Sequence, residues 1–506
     1  MLLHHRQSPM ERSVSRLKLR LYFFIGVIIC HAVALLIPAF DTSHLVLLTP
    51  VDNLPDPTTS PLSLSHGLVD ERMEDPPKLL PSPGLRWDAL HYHDVALHGA
   101  YTYEHQYAFS LGVPIILRLV QSGKEILFSL VLPSFSPGFM NIQLHSWLSD
   151  IINAFLVAML ASQPCLALYK LTEKLTRSKD FSYLTLLVHV LMGAPPVIIR
   201  SSYAEPFFAW FTFEGLSAYH EQRYLVSSLY FGLATAFRTN GILLPCFILY
   251  GLLVYPMLSE LLATISTSTG FRLTDISAHI YRAARKLRLS KLIYSGLLTM
   301  ISLSPFLTQQ YIAYRTFCQS SSPRPWCNSH IPLIYSFVQS HYWDVGLWRY
   351  WTIDQIPNFL FAMPILTLAF SSIVWFIIAS SRGVQSAKHR AVDSPPLDPV
   401  LSPSMTLVLV PYALHALILS LMLFTAAHVQ IALRVLPAAT PWVSWAGAAL
   451  IVQGLRHKRD AERFKLSETD VFGHCWWPVL SHVWIGWTVI WLFVSSILWL
   501  AFLPPA

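Results

Sequence analysis

The segment PSMTLVLVPYALHALILSLMLFT, residues 403–425, contains no Asp, Glu, Lys or Arg. A helix that crosses a bilayer needs about 20 consecutive, mostly apolar residues, and this segment meets that requirement. Comparable segments recur along the chain of 506 residues, which is 54% apolar and only 12% charged. Because soluble globular proteins have about 25% charged residues, this composition argues against a soluble protein. It predicts an all-α polytopic membrane protein.

Further segments of similar length and hydropathy bring the prediction to about eleven transmembrane helices. The first, at about 19–39, follows a basic N-terminus (1–18) and lacks the small-residue cleavage site of a signal peptide, so we expect a retained first helix. The short segments within 183–238 leave open a re-entrant pair. The remaining predicted spans are at about 148–170, 183–200, 204–219, 225–238, 242–264, 292–310, 357–380, 436–453 and 480–503.

Charge orients these spans, because positively charged loops are retained in the cytoplasm. Four basic loops agree with one threading, and the longest of them is 265–291. The acidic segment 40–147 then lies in the lumen, with a flexible, proline-rich insertion at 40–84. Apolar stretches at 107–120 and 124–137 are expected to form interfacial helices. The resulting organisation places transmembrane helices in 148–310, an aromatic lumenal loop in 311–356 and C-terminal transmembrane helices in 357–506.

Neither the net charge nor the cysteines indicate a soluble binding module. The charge of +7 comes from short clusters between apolar runs, which does not indicate nucleic-acid binding. Six cysteines in this length do not make a disulfide scaffold. Only Cys318 and Cys327 share a polar segment, and the sequence leaves open whether they pair.

The densest polar motif on the predicted lumenal side is RWDALHYHDVALHGAYTYEHQYAF, residues 86–109. Asp88 and His91 are three residues apart, which places them on one face of a helix. A carboxylate beside apolar surroundings can act as a general base, and Glu104 is a second acid of this motif. Capping of the following helix is an equally weighted interpretation of Asp88. His91 and His93 fall short of the three or four ligands of a metal site, so we predict no metal.

Three charged residues stand at predicted span ends on the same side. Arg238 lies in F-R-T-N-G and Arg434 in H-V-Q-I-A-L-R. Such an arginine either binds a phosphate through its planar fork or extends to lipid headgroups, and both interpretations stay open. Glu205, directly before Pro206, either begins a helix or contacts a substrate. Because polar groups beside apolar helices are costly without partners, their collection on one side predicts a polar chamber.

The segment 323–358 is rich in aromatic residues. An interfacial belt is the more common meaning of Trp and Tyr near a membrane. A sugar-stacking surface is the alternative, because aromatic rings offer flat apolar faces with polar tips. Gln339, Asp344 and Arg349 are interleaved among the rings and favour this alternative in part.

Taken together and in order, the motifs resemble the PIG-V family of GPI mannosyltransferase 2 enzymes. The resemblance is carried by W-D-A-L-H (87–91), G-A-Y-T-Y-E-H (99–105), Y-A-E (203–205), F-R-T-N-G (237–241), W-C-N-S-H-I-P-L-I-Y-S-F-V-Q (326–339), Y-W-D-V-G (342–346), P-N-F-L (357–360) and H-V-Q-I-A-L-R (428–434).

The resemblance implies a GT-C-type glycosyltransferase with its active site on the lumenal face of the endoplasmic reticulum membrane. Members transfer the second mannose, in α-1,6 linkage, from dolichol-phosphate-mannose to mannosylated glucosaminyl-phosphatidylinositol, with inversion at the anomeric carbon. Dolichol-phosphate-mannose is a substrate, so no cofactor is expected. Fungal members are thought to have a small membrane accessory subunit, which the sequence leaves open.

The resemblance also implies catalytic and substrate-binding roles for the residues of this chain that match the family motifs. We expect Asp88 as the general base, with Glu104 and Glu205 in reserve. The remaining expected site residues are Arg238, Arg434, His91, His428 and Gln430 for the donor phosphate, and Glu205, Asn240, Gln339, Tyr342 and Trp343 for the substrates. Two other classes remain open without the resemblance: a polytopic lipid or sugar transporter or scramblase, and a non-catalytic subunit of a glycolipid assembly complex.

Overall fold

The computed structural model describes residues 16–34, 88–131, 139–192, 203–267, 288–319, 323–388, 401–464 and 476–500. Within these ranges the chain is helical and forms no strand. The predicted insertion 40–84 and most of the basic loop 265–291 lie outside the described residues.

The described ranges contain sixteen α-helices, with short 3-10 turns between some of them and a π-helix at Tyr250–Val254. They are α1 (Arg16–Ala34), α2 (Asp88–His98), α3 (Gly112–Val131), α4 (Phe139–Thr176), α5 (Lys179–Met192), α6 (Glu205–His220), α7 (Tyr224–Phe237), α8 (Pro245–Leu249), α9 (Tyr255–Thr267), α10 (Leu289–Cys318), α11 (Ile334–Tyr342), α12 (Ile356–Lys388), α13 (Pro403–Thr425), α14 (Ala432–Ala439), α15 (Trp442–Phe464) and α16 (Trp477–Leu500).

By length and composition, six helical segments of the described residues can cross a membrane. They are Ile152–Thr176, Thr239–Thr264, Leu289–Cys318, Ile353–Gly383, Pro403–Thr425 and Trp477–Trp499. A seventh arises if Val429–Ala439 and Trp442–His457, which meet at 86°, are counted as one bent span. Helices α5, α6 and α7 have only 14, 16 and 14 residues. The chain is therefore a polytopic helical membrane protein, and the number of eleven spans stays a prediction.

One continuous helix, α3, occurs where we expected two interfacial helices at 107–120 and 124–137. The expected separation at 121–123 was wrong, because α3 runs through these residues without a break. Pro114 lies in the first turn of α3, where a missing backbone N–H disrupts no intrahelical hydrogen bond. Residues before it form a separate 3-10 turn, Glu104–Ala108.

The core is built around the hairpin of α6 and α7. A three-residue turn joins the two helices, and Ser227 Oγ of α7 donates to the Gly215 carbonyl of α6 at 2.9 Å. A Cβ at Gly215 would come within 2.6 Å of the Phe231 ring, so this glycine allows the helices to approach closely. Phe208 and Phe213 of α6 are fully buried in the core that α4, α12, α13 and α14 complete.

A disulfide closes the C-terminal end of α10. Cys318, the last residue of α10, is bonded to Cys327 in the 3-10 turn Pro325–Asn328. The structure thus shows that Cys318 and Cys327 pair, which the sequence left open.

Candidate active site

Four charged side chains from distant parts of the sequence meet at one end of the helical core. Glu205 Oε1 accepts hydrogen bonds from Nη1 of Arg238 at 2.5 Å and from Nε and Nη2 of Arg434 at 2.9 and 2.7 Å. Arg434 Nη2 also donates to Asp88 Oδ2 at 2.5 Å. We call Asp88, Glu205, Arg238 and Arg434 the charge quartet. Its two carboxylates and two guanidinium groups have a formal charge of zero.

Helix ends bring these residues together. Asp88 and Glu205 are the first residues of α2 and α6, and a carboxylate is favourable at a helix N-terminus. Pro206 follows Glu205 in the first turn, where its fixed φ suits the start of a helix. Arg238 follows the last residue of α7, and a cation is favourable at a helix C-terminus.

A sharp break in the chain directs Arg238 toward the quartet. Arg238 is extended (φ −146°, ψ 134°), and the 3-10 turn Thr239–Leu243 folds back on α7. A Cβ at Gly241 would lie 2.7 Å from Oγ1 of Thr235 and 2.8 Å from its Cα. Only glycine therefore permits this close return of the chain.

The quartet consists of two buried and two partly exposed side chains. The side chains of Glu205 and Arg434 are 3% and 8% exposed, whereas those of Arg238 and Asp88 are 20% and 31% exposed. The Tyr203 ring lies against the Arg434 guanidinium, with its centroid 4.8 Å from Cζ. Asp88 and Arg238 are thus the members that a substrate can reach most easily.

The charge state of Asp88 suits a general base. Burial disfavours its ionised form, but the positive charges of Arg434 and Arg238 outweigh burial and hold the pKa of the carboxyl below its ordinary value. The group is therefore ionised at neutral pH and can accept a proton. Asp88 is the first residue of α2, and its carboxylate accepts a hydrogen bond from Arg434. Capping and proton transfer both stay predictions for this side chain.

A family model described as mannosyltransferase (PIG-V) matches residues 16–506. The chain belongs to this family.

Curated relatives cover most of the chain. GPI mannosyltransferase 2 of Cryptococcus neoformans var. neoformans serotype D is 31% identical over 441 residues, which cover 84% of this chain and 89% of the relative. GPI mannosyltransferase 2 of Schizosaccharomyces pombe is 28% identical over 431 residues, which cover 83% and 73%. Human GPI alpha-1,6-mannosyltransferase 2 is 29% identical over 419 residues, which cover 74% and 77%. No solved structure matches the chain.

This PIG-V family member is therefore a glycosyltransferase of the membrane. The family match favours an enzyme over the transporter and the non-catalytic subunit that the sequence alone left open.

Glu104, the second acid expected to be catalytic in the first motif, belongs to a separate cluster. Its Oε1 accepts hydrogen bonds from Arg324 Nε at 3.1 Å and Trp326 Nε1 at 2.7 Å, and its Oε2 from Arg324 Nη2 at 2.7 Å and the Tyr342 hydroxyl at 3.0 Å. We call these four residues the Glu104 clamp. They join the turn at 104–108 to segment 324–342. Because both of its carboxylate oxygens accept hydrogen bonds, Glu104 holds this segment in place. Tyr342, a predicted substrate residue, takes part through its hydroxyl.

His91 lies beside the quartet in the mannosyltransferase. Its ring stacks on Phe109, with centroids 4.6 Å apart, and its edge meets His105 at 5.4 Å. Burial and the charge of His105 lower the pKa of His91, although Asp88 opposes them. At neutral pH the imidazole is therefore neutral and can donate a single hydrogen bond.

The turn before Arg434 is held by contacts of three predicted site residues, His428, Gln430 and Trp343. His428 Nε2 is hydrogen-bonded to the Trp343 carbonyl at 2.7 Å, and its ring stacks on Tyr350 at 4.7 Å. Gln430 Oε1 accepts from the Tyr350 hydroxyl at 2.5 Å. These contacts hold the 3-10 turn Val429–Ile431 that leads into α14 and hence to Arg434.

Asn240, two residues after Arg238, has a buried side chain without hydrogen-bond partners among the described residues. Both Nδ2 and Oδ1 are buried and have no hydrogen-bond partner among the described residues, and the same is true of Glu205 Oε2. Such groups cost free energy unless a ligand or water completes them, so they are suited to a sugar hydroxyl. Gln339 is half-buried on α11, and its carbonyl accepts the N–H of Val345 at 2.9 Å. It shares no hydrogen bond with the quartet in the described part of the chain.

Sequence reasoning did not single out Tyr203, Arg324 or Tyr350 as site residues. Tyr203 lies in the Y-A-E motif two residues before Glu205, and this proximity was the available signal. Arg324 and Tyr350 interact with partners far away in the chain, which spacing alone does not reveal. The described residues contain no cluster of three or more His, Cys, Asp or Glu side chains suited to a metal ion.

Proposed function

We propose that this protein transfers the second mannose of the GPI anchor, in α-1,6 linkage, to mannosylated glucosaminyl-phosphatidylinositol. The donor is dolichol-phosphate-mannose, and the reaction takes place on the lumenal side of the endoplasmic reticulum membrane. The observation that carries the proposal is the charge quartet in a PIG-V family member, because it joins an accessible carboxylate to positive charge.

Asp88 acts as the general base. The 6-hydroxyl oxygen of the acceptor attacks C1 of the mannose and gives its proton to the Asp88 carboxylate. The bond between C1 and the phosphate oxygen breaks, and its electron pair leaves with dolichyl phosphate. Attack opposite the β-linked phosphate gives the α-linked product, so the anomeric centre is inverted.

The two arginines have different tasks. Arg238, with a 20% exposed side chain, binds the donor phosphate and stabilises the negative charge that develops on the leaving group. Arg434, with an 8% exposed side chain, positions Asp88 through its guanidinium fork and adds its charge to the site. Asn240 and His91 contribute hydrogen bonds to the substrates.

The lumenal location has support in the Cys318–Cys327 disulfide. Disulfides persist in oxidising compartments such as the endoplasmic reticulum lumen and are rare in the cytosol. The Glu104 clamp joins the segment beside this disulfide to the turn that follows α2.

Lipid analysis of cells that lack this protein tests the proposed step. We expect accumulation of a GPI precursor with one mannose, and its disappearance when the wild-type gene is restored. Complementation with Asp88→Ala should fail although the protein reaches its normal level. Accumulation of a different intermediate would reject the proposed step, and full complementation by Asp88→Ala would indicate a non-catalytic subunit.

A further inference from the structure

The loop at residues 344–356 closes the lumenal end of α13. The backbone N–H groups of Gly346 and Trp348 donate to the carbonyls of Ala426 and Thr425 at 3.0 and 2.7 Å. Trp351 Nε1 donates to the Phe424 carbonyl at 2.8 Å. Carbonyls at a helix C-terminus have no intrahelical partner, so this loop satisfies them without water.

Side chains of the same loop present an apolar surface. Leu347, Trp348, Trp351 and Ile353 are 67%, 53%, 47% and 84% exposed. Trp348 adopts φ 62°, a left-handed conformation that is costly for a bulky residue. The hydrogen bonds of the loop to α13 retain this conformation, with the indole outside the core.

The apolar surface continues directly onto a transmembrane helix. Ile353 begins the candidate span Ile353–Gly383, and Ile356 and Leu360 on its first turns are 51% and 61% exposed. The loop also contains an exposed ion pair, Arg349 Nη1 to Asp344 Oδ1 at 2.9 Å. Apolar side chains that extend the lipid-facing surface of a span, next to an exposed ion pair, are typical of a segment at the bilayer interface.

We propose that loop 344–356 inserts its apolar side chains into the lipid leaflet on the active-site side of the membrane, where phospholipid covers them. Continuity with the span at Ile353–Gly383 identifies the occupant as bilayer lipid.

The inner side of the loop links this lipid contact to the charge quartet. The Tyr350 hydroxyl donates to Gln430 and accepts from Asn358 Nδ2 at 2.9 Å, while the Tyr350 ring stacks on His428. Arg434 follows Gln430 by four residues. The lipid-inserted loop therefore holds the segment that places Arg434 beside Asp88 and Glu205.

Photocrosslinking of the full chain in phospholipid nanodiscs tests this proposal without requiring mannosyl transfer. A benzophenone amino acid replaces Ile353 in one variant and Asn328 in the control, an exposed residue of the 3-10 turn near the Glu104 clamp. We expect phospholipid adducts by mass spectrometry to be several-fold more abundant at position 353 than at 328. Because the readout is an adduct, its failure is distinguishable from failure of the proposed function.

Three outcomes would overturn the proposal. Equal phospholipid labelling at both positions would mean that the loop has no special contact with lipid. Adducts at position 353 with dolichol lipids alone, added at a few per cent of the nanodisc lipid, would assign the surface to the donor. Adducts with a co-purified protein would assign it to a protein partner.

Discussion

The carboxylates of Asp88 and Glu205 share one guanidinium group, that of Arg434, and exposure separates their roles. Glu205 is 3% exposed and contacts both arginines through one oxygen, so it fixes their positions. Asp88 is 31% exposed and contacts Arg434 alone among the quartet, so its carboxylate remains within reach of an incoming hydroxyl. From this difference in exposure we expect Asp88, rather than Glu205, to exchange a proton with a substrate.

Asp88→Asn should abolish mannosyl transfer while leaving protein level and membrane insertion unchanged. The amide keeps the size of the side chain but cannot accept the proton, and loss of a general base costs about 100-fold or more. Incorporation of mannose into the one-mannose precursor in microsomes measures the effect. Asp94→Asn on the same helix is the matched control. Asp94 accepts a hydrogen bond from Gln106 and none from the quartet, so this variant should retain activity. Wild-type rates for Asp88→Asn would show that the base is another group.

Arg434→Gln should move the acid limb of the pH profile of kcat/KM to higher pH. Arg434 lowers the pKa of Asp88 against the effect of burial, so its removal raises that pKa and more of the base is protonated at a given pH. Arg238 and His91 still face Asp88 and moderate the shift, whereas the Glu205 charge opposes ionisation. An acid limb that stays in place while activity falls would mean that Arg434 serves the phosphate alone.

Arg434→Lys should also be harmful, because a point charge does not replace the planar fork.

At the residue scale, sequence reasoning could identify charged groups but not their partners. Asp88, Glu205, Arg238 and Arg434 stood out because ionisable residues at span ends require partners. Glu104 looked equivalent to Asp88 because both lie in one motif. Its hydrogen-bond partners are 220 to 238 residues away, and no local pattern predicts such contacts.

Among the elements, α3 and α7 meet at a contact that supports the quartet. A Cβ at Gly112, the first residue of α3, would lie 2.7 Å from the Ala236 carbonyl oxygen and 2.9 Å from the Phe237 ring. These residues form the end of α7, directly before Arg238. The sequence did not predict this contact, because Gly112 and Ala236 are far apart in the chain and no local pattern joins them.

Gly112→Ala should lower both thermal stability and mannosyl transfer, because the added methyl group displaces the end of α7. Gly123→Ala in the same helix is the control, since nothing lies within 4 Å of its Cβ position. Alanine there should be neutral or stabilise the helix by up to about 1 kcal/mol. The temperature of half-inactivation and the transfer rate measure both effects. Equal behaviour of the two variants would show that α3 does not position Arg238.

Glu104→Gln should lower the temperature of half-inactivation without shifting the pH profile of transfer. Glutamine cannot accept from Arg324, Trp326 and Tyr342 with both side-chain termini, so the Glu104 clamp weakens. Glu125→Gln, an exposed change on α3, should have little effect on either quantity. Loss of transfer at full thermal stability would instead assign Glu104 to the chemistry.

At the scale of the whole molecule, α6 connects two charged ends. Glu205 at its start belongs to the quartet, and Glu221 just after its end pairs with Lys174. Sixteen residues of helix extend about 24 Å, less than the apolar thickness of a bilayer. Because most of α6 is buried against other helices, its hydropathy reflects core packing as well as lipid contact. This explains why the region 183–238 could not be divided reliably into spans from the sequence.

Glycosylation mapping tests the orientation of the whole chain. The sequence contains no Asn-x-Ser/Thr site, so an inserted acceptor reports its own location. An acceptor placed within 40–84 should be glycosylated, and one placed within 268–287 should not, because the basic loop stays in the cytoplasm. A mobility shift that is removed by endoglycosidase provides the measurement. The reverse pattern would invert the topology and reject a lumenal active site.

The zero net charge of the quartet has a consequence for turnover. The proposed donor is a phosphodiester with one negative charge, whereas the dolichyl phosphate that remains is a monoester with a charge of about −1.5 to −2 at neutral pH. A surplus of positive charge would retain this product more strongly than the donor and slow each cycle. Once Asp88 has released the proton that it accepts during transfer, the two carboxylates again balance the two arginines, and the spent carrier has no such advantage. We therefore expect dolichyl phosphate to be a weak product inhibitor that leaves readily for recharging.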